Sequence, residues 1–184
     1  MQTLLLLLLG MSLWPAGPAP QAAGQVPERV ASQKEPLLPG KRMVQAVQFP
    51  YDLKVRFTLF PTGRAKDMGG YAEVRRRKKG VEVEVGVDEA PPASQIKPEY
   101  RGYVVWALTP AGKFVPLGSL ERKGTVKTTT SLPAFGIVVT AERDLKATSP
   151  TDPVLESGMP DAKSRYYPIQ RVYYTPAVPT EPRP

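Results

Sequence analysis

The chain has 184 residues, with 25 Lys and Arg against 17 Asp and Glu for a net charge of +8, and it contains neither Cys nor His. Lack of Cys excludes disulfides, thiol nucleophiles and thiolate metal sites. Lack of His removes the usual general base and the commonest zinc ligand, so enzyme readings lose most of their parts.

Residues 1–24 hold no charged side chain, run as unbroken leucine from Leu4 to Leu9, and end in the small residues Ala22, Ala23 and Gly24. That is the layout of a secretory signal peptide cleaved near Gln25, although only the terminal amine supplies its positive end. The apolar stretch from Leu4 to Trp14, about 11 residues, falls short of the roughly 20 that span a bilayer. The expectation is export to a periplasmic or extracellular site, with no transmembrane span in the mature chain. All the charge then falls on the mature part, where it suits either solubility or adhesion to anionic surfaces.

Residues 25–46 carry Pro27, Pro36 and Pro39 among polar neighbours and read as a linker. From Val47 to about Glu156 the pattern turns to repeated short alternation, which predicts one β domain. Leu53, Val55, Phe57 and Leu59 alternate with polar residues and predict a strand with one apolar face. Tyr71 to Arg77 and Val81 to Val87 predict a hairpin turned by Lys78-Lys79-Gly80, with Glu82 and Glu84 in water. Tyr103 to Leu108 is apolar at almost every position, which predicts a central strand covered on both sides. Thr109 to Lys113 then turns the chain into a partner strand from Phe114 to Leu120. Gly124 to Thr130, Phe135 to Ala141 and a short piece at Pro153 to Leu155 complete seven or eight strands, a two-sheet antiparallel sandwich. Residues 157–184 are Pro-rich and read as an extended tail.

The order Tyr103-Val104-Val105-Trp106-Ala107-Leu108, Pro110-Ala111-Gly112-Lys113, Pro116-Leu117-Gly118-Ser119-Leu120, Phe135 to Glu142 and Pro153-Val154-Leu155 resembles the carboxy-terminal, extracytoplasmic sandwich of bacterial anti-sigma-K factors and related secreted proteins. It covers roughly residues 50–156. Full anti-sigma factors also have a helical sigma-binding domain and a spanning helix, which this sequence does not show, so their regulatory activity does not follow. The resemblance implies an exported, immunoglobulin-like, all-β module without a catalytic centre.

Two segments have the composition of binding sites. Arg75, Arg76, Arg77, Lys78 and Lys79 place five cations at one hairpin tip, suited to phosphate or carboxylate polymers or to deterring edge pairing with another sheet. Tyr166, Tyr167, Arg171, Tyr173 and Tyr174 offer amphipathic contact faces for a protein partner, or a last strand laid on the sandwich edge. No aromatic interleaves with the basic run, which disfavours nucleic acid.

Trp106, in the most apolar run, reads as core rather than a sugar-stacking ring. Asp88 with Glu89, or Glu142 with Asp144, would be the carboxylates of a hydrolase, yet strand ends collect such charges anyway. Thr128, Thr129 and Thr130 lack a base and are explained as strand formers. No cofactor or metal is implied. The sequence therefore predicts a non-enzymatic binding or structural module of the bacterial envelope. An accessory subunit docking through the tail, and then a carboxylate-dependent hydrolase, follow as alternatives.

Overall fold

A computed structural model describes residues 40–63, 65–88, 90–120, 124–167 and 169–177. The expected signal peptide, most of the linker, Glu89 and residues 178–184 lie outside the described residues. The fold is all-β and antiparallel. Its strands are β1 (Arg42–Gln48), β2 (Lys54–Pro61), β3 (Gly69–Arg77), β4 (Gly80–Asp88), β5 (Gly102–Leu108), β6 (Phe114–Leu120), β7 (Thr125–Thr130), β8 (Ala134–Glu142), β9 (Asp152–Pro160) and β10 (Ile169–Tyr174). A 3-10 turn at Ala93–Gln95 interrupts the loop between β4 and β5.

Paired strands run in the order β6-β5-β8-β9-β2-β3-β4-β7. β9 joins the two layers, pairing β8 through Asp152 to Glu156 and β2 through Leu155 to Pro160. β6 returns beside β7 without a hydrogen-bonded ladder, so the sandwich is nearly closed. Strict alternation explains the β2–β3–β4 layer: Val55, Phe57, Leu59, Ala72, Val74, Val81, Val83 and Val85 all point into the main core. There they meet Val105, Ala107, Ile137, Val139 and Ala141 from the opposite layer. Leu53 departs from the expected pattern. It lies before β2 and is exposed rather than in the core.

Two strands extend the sheet beyond the boundaries that alternation predicts. Residues 42–46, expected as linker, open β1, and residues 169–174 of the expected tail form β10, so the folded unit reaches from β1 to β10. They pair with each other, Val44 opposite Val172 and Arg42 opposite Tyr174. The segment at Pro153 to Leu155 likewise grows into the nine residues of β9. Prolines hid these strands: Pro168 and Pro176 bracket β10, and Pro153 and Pro160 sit within β9 where ladder bonds are interrupted by a register shift.

The β1–β10 ribbon answers a packing need. Val104, Trp106 and Leu108 lie on the face of β5 opposite Val105 and Ala107, yet all three are buried. Val44, Ala46, Val172 and Tyr174 from the ribbon form a second cluster with Leu108 and Val138, against which Phe114 packs. Trp106 meets Phe114 edge-on at 6.2 Å, and Phe114 meets Tyr174 at 5.2 Å. Trp106 is therefore core, as expected, but core of this outer layer.

Polar clasps fix the ribbon and the neighbouring loops. Arg42 donates two hydrogen bonds to the Glu156 carboxylate, at 2.5 and 2.7 Å, and the Tyr174 hydroxyl donates a third at 2.5 Å. Burial first, and then the facing carboxylate, raise the Tyr174 hydroxyl above its ordinary pKa, so it stays a donor at any physiological pH. In the β4–β5 loop, Tyr100 donates to Asp152 and Tyr103 to the Pro91 carbonyl. Burial pushes both tyrosine hydroxyls up to about 12.

Gly136 lies directly beneath β1: a Cβ there would overlap Val44 and come within 2.8 Å of the Gln45 carbonyl oxygen. Gly136→Ala is expected to lift the ribbon and lower stability by roughly 1–3 kcal/mol, with hydrogen exchange of β1 and β10 accelerated beyond that of β3 and β4. Uniform acceleration across all strands would contradict a locally seated ribbon.

Candidate functional site

The basic run does not form one cluster, because successive strand residues point to opposite faces. The chain reverses at Lys78-Lys79, and Gly80, at φ +146°, completes the turn in a conformation that L side chains rarely adopt. Arg75 and Arg77 lie on the outer face of the β2–β3–β4–β7 layer, and Arg76 points the other way.

Each arginine has a different environment. Arg77 donates to Asp52 at 2.8 Å and sits 3.6 Å from Glu82; the Asp52 hydrogen bond is the first cause of its raised pKa. Arg76 lies over the Tyr51 ring at 4.2 Å and reaches the Phe49 carbonyl at 3.5 Å. Arg75 is half-buried, and its Nε finds no hydrogen-bond partner. Lys78 and Lys79 are both exposed at the turn and have no carboxylate partner among the described residues.

Arg75 lines a cleft of about 440 Å³ on the outer face, with Lys54, Glu73, Glu82, Glu84 and Lys127 around it. Most of these charges are already matched. Lys54 and Arg56 share Glu73 at 2.6 and 3.1 Å, while Glu84 accepts from Tyr71 at 2.9 Å and faces Lys127 at 3.1 Å. Lys127 first and Tyr71 second hold the Glu84 carboxyl below its usual range. The cleft thus has alternating charge and one unmatched guanidinium, and among the described residues no cluster of three or more Asp or Glu could hold a metal.

The tail tyrosines are divided among separate roles. Tyr174 is buried in the ribbon clasp, and the partly buried Tyr166 packs on the main core. Arg171 is exposed on the ribbon, and the half-buried Tyr173 carries Lys41 over its ring at 4.9 Å. Tyr167 is exposed, and its amide donates to the Gln48 carbonyl at 3.2 Å.

That last bond brings together two candidate sites that are far apart in sequence. Gln48 leads through Phe49 to Tyr51 and Asp52, which dock on Arg76 and Arg77; the Asp52 amide donates to the Arg76 carbonyl at 2.9 Å. The hairpin tip and the Tyr166–Tyr167 segment therefore share one end of the sandwich. Sequence reasoning missed Tyr51, whose only signal was an aromatic beside Pro50 and Asp52 ahead of a strand.

Of the two hydrolase candidates, Asp88 with Glu89 lies partly outside the described residues, and Glu142 with Asp144 divides between the interior and the surface. Glu142 is buried, accepting from the Thr140 hydroxyl at 2.6 Å, the Thr151 amide at 2.8 Å and the Thr151 hydroxyl at 2.7 Å. Thr140 in turn accepts from Trp106 Nε1 at 2.7 Å. Asp144 is exposed and caps the Lys146 amide, and Asp88 is exposed at the end of β4. Thr128, Thr129 and Thr130 lie in β7, paired with Val83, Glu82 and Val81.

Comparison with family models, with curated proteins and with solved structures finds no match to the chain. Among the described residues no helix is long and apolar enough to cross a membrane.

Glu142→Ala strips the acceptor from one buried and two part-buried donors, so a loss of roughly 2–4 kcal/mol in urea unfolding is expected. A carboxylate kept for chemistry behaves the other way, and its removal commonly leaves stability unchanged or raised. An unchanged midpoint would reopen the hydrolase reading.

Proposed function

We propose that the protein is an exported, non-enzymatic β-sandwich of the bacterial envelope that binds anionic polymers through the β3–β4 end. The observation carrying this reading is the turn itself: Lys78 and Lys79 stand exposed and free of carboxylates among the described residues, while Arg77 and Asp52 brace the strand end behind them. Export rests on the signal-peptide layout of residues 1–24. Kinship with the extracytoplasmic modules of anti-sigma-K factors rests on the Tyr103 to Lys113 hairpin and its Phe135 to Glu142 neighbour, which pair as β5, β6 and β8.

The polymer reading is favoured over partner docking through the tail because Tyr166 and Tyr174 serve the fold. A long-range basic field supplies attraction without deep pockets, and it weakens with salt as the Debye length shortens from about 10 Å at 0.1 M towards 3 Å at 1 M. Purified protein is expected to co-sediment with isolated envelope polymers at low salt and to release as salt rises. Lys78→Gln with Lys79→Gln should weaken binding about tenfold while shifting stability by no more than about 0.5 kcal/mol. Equal binding by the double variant would contradict the role of the tip.

A further inference from the structure

Three segments meet at the β3–β4 end: the turn with Lys78 and Lys79, the Tyr51–Asp52 corner before β2, and the Arg165 to Tyr167 stretch before β10. Tyr51 and Tyr167 are more than half exposed, at 59% and 56%. Tyr51 lies three positions after Gln48, whose carbonyl receives the Tyr167 amide, a chain distance of at most about 11 Å. Tyr51 and Tyr167 thus both lie at the end of the sandwich that carries Lys78 and Lys79.

From this placement we propose that the end of the sandwich is a binding surface for an acidic polysaccharide, with Tyr51 and Tyr167 as platforms for sugar rings and Lys78, Lys79 and Arg165 as partners for their acid groups. The proposal rests on the anionic-polymer reading above and names its ligand class and its residues.

Tyr51 is already set for this role. The Arg76 guanidinium covers one face of the ring at 4.2 Å and reaches the Phe49 carbonyl, so the ring is held while much of its surface stays open. The negative face of an aromatic ring attracts weakly positive C–H groups, which line the faces of pyranose rings. A ring held in advance loses little freedom on binding. Tyr167 is fixed at its root by Tyr166, which packs into the core, and by its own amide bond to Gln48.

The charges agree. The aspartates of this end are matched, Asp52 by Arg77 at 2.8 Å and Asp161 by Arg56 at 4.0 Å, whereas Lys78, Lys79 and Arg165 are exposed without a carboxylate among the described residues. A lipid surface fits less well, because inserting Tyr51, Leu53 and Tyr167 would also desolvate Asp52 and Asp161.

The test compares two anionic polymers that differ in having sugar rings, polygalacturonate and inorganic polyphosphate, each titrated into the full-length protein. Tyr51→Ala with Tyr167→Ala should weaken polygalacturonate binding about tenfold and leave polyphosphate binding unchanged. Tyr51→Phe with Tyr167→Phe should restore it, because the ring and not the hydroxyl makes the contact. Lys78→Gln with Lys79→Gln should weaken both polymers.

If the tyrosine variants bind both polymers like the parent while the lysine variant weakens both, the sugar platform is refuted and the anionic-polymer reading stands. If the alanine pair weakens both polymers equally, the tyrosines act through charge placement or folding and the proposal fails. If neither polymer binds, both readings fail together. Tighter, tyrosine-dependent binding to phosphatidylglycerol vesicles or to oligothymidylate than to polygalacturonate would replace the polysaccharide with a lipid surface or a single-stranded nucleic acid.

Discussion

β5 is apolar on both faces and its neighbour β8 is buried on both, so each must be covered twice. Their inward residues, Val105, Ala107, Ile137 and Val139, meet β2, β3 and β4 across the sandwich. Their outward residues, Val104, Trp106, Leu108 and Val138, would otherwise face water. At about 1.5–3 kcal/mol for each buried side chain, that face is worth roughly 6–12 kcal/mol. A domain whose net stability is about 5–15 kcal/mol cannot leave it open. The ribbon of β1 and β10 and the loop after β8, whose Leu145 lies against Gly102, are the consequence.

The same constraint directs where function can lie. The most distinctive residues of the chain, Trp106 and the Glu142–Thr140–Thr151 network, are consumed in holding the outer layer to the sheet. Arg42, Glu156 and Tyr174 close the other side of that layer. What remains free is the end of the sandwich at the β3–β4 turn, where strands stop and side chains have no sheet to serve. On the charged outer face of β2, β3, β4 and β7 the ions are largely paired among themselves.

The strands from β2 to β9 were legible because period-two alternation and turn residues mark them. The doubly apolar Tyr103 to Leu108 run correctly announced a strand covered on both sides, but nothing in it said which segment supplies the cover. β1 escaped notice because Val44, Ala46 and Val47 are all buried, Val47 having crossed into the main core, so the segment shows no clean alternation. β10 escaped because its six residues sit between prolines. At the site, alternation alone already implied that Arg75, Arg76 and Arg77 cannot share one face. That the Tyr51 corner and Tyr167 share one end of the sandwich was beyond reach, since it depends on a backbone bond between segments far apart in sequence.

The most direct test of a cover required by the central strands is to end the chain after Tyr167, removing β10, and to measure urea unfolding against the full chain. Loss of Val172 and Tyr174 alone should lower stability by at least about 3 kcal/mol, and the amides of Val104 to Leu108 should lose protection together with those of β1. An unchanged unfolding midpoint, with β5 still protected, would show that the outer face of β5 and β8 does not need the ribbon.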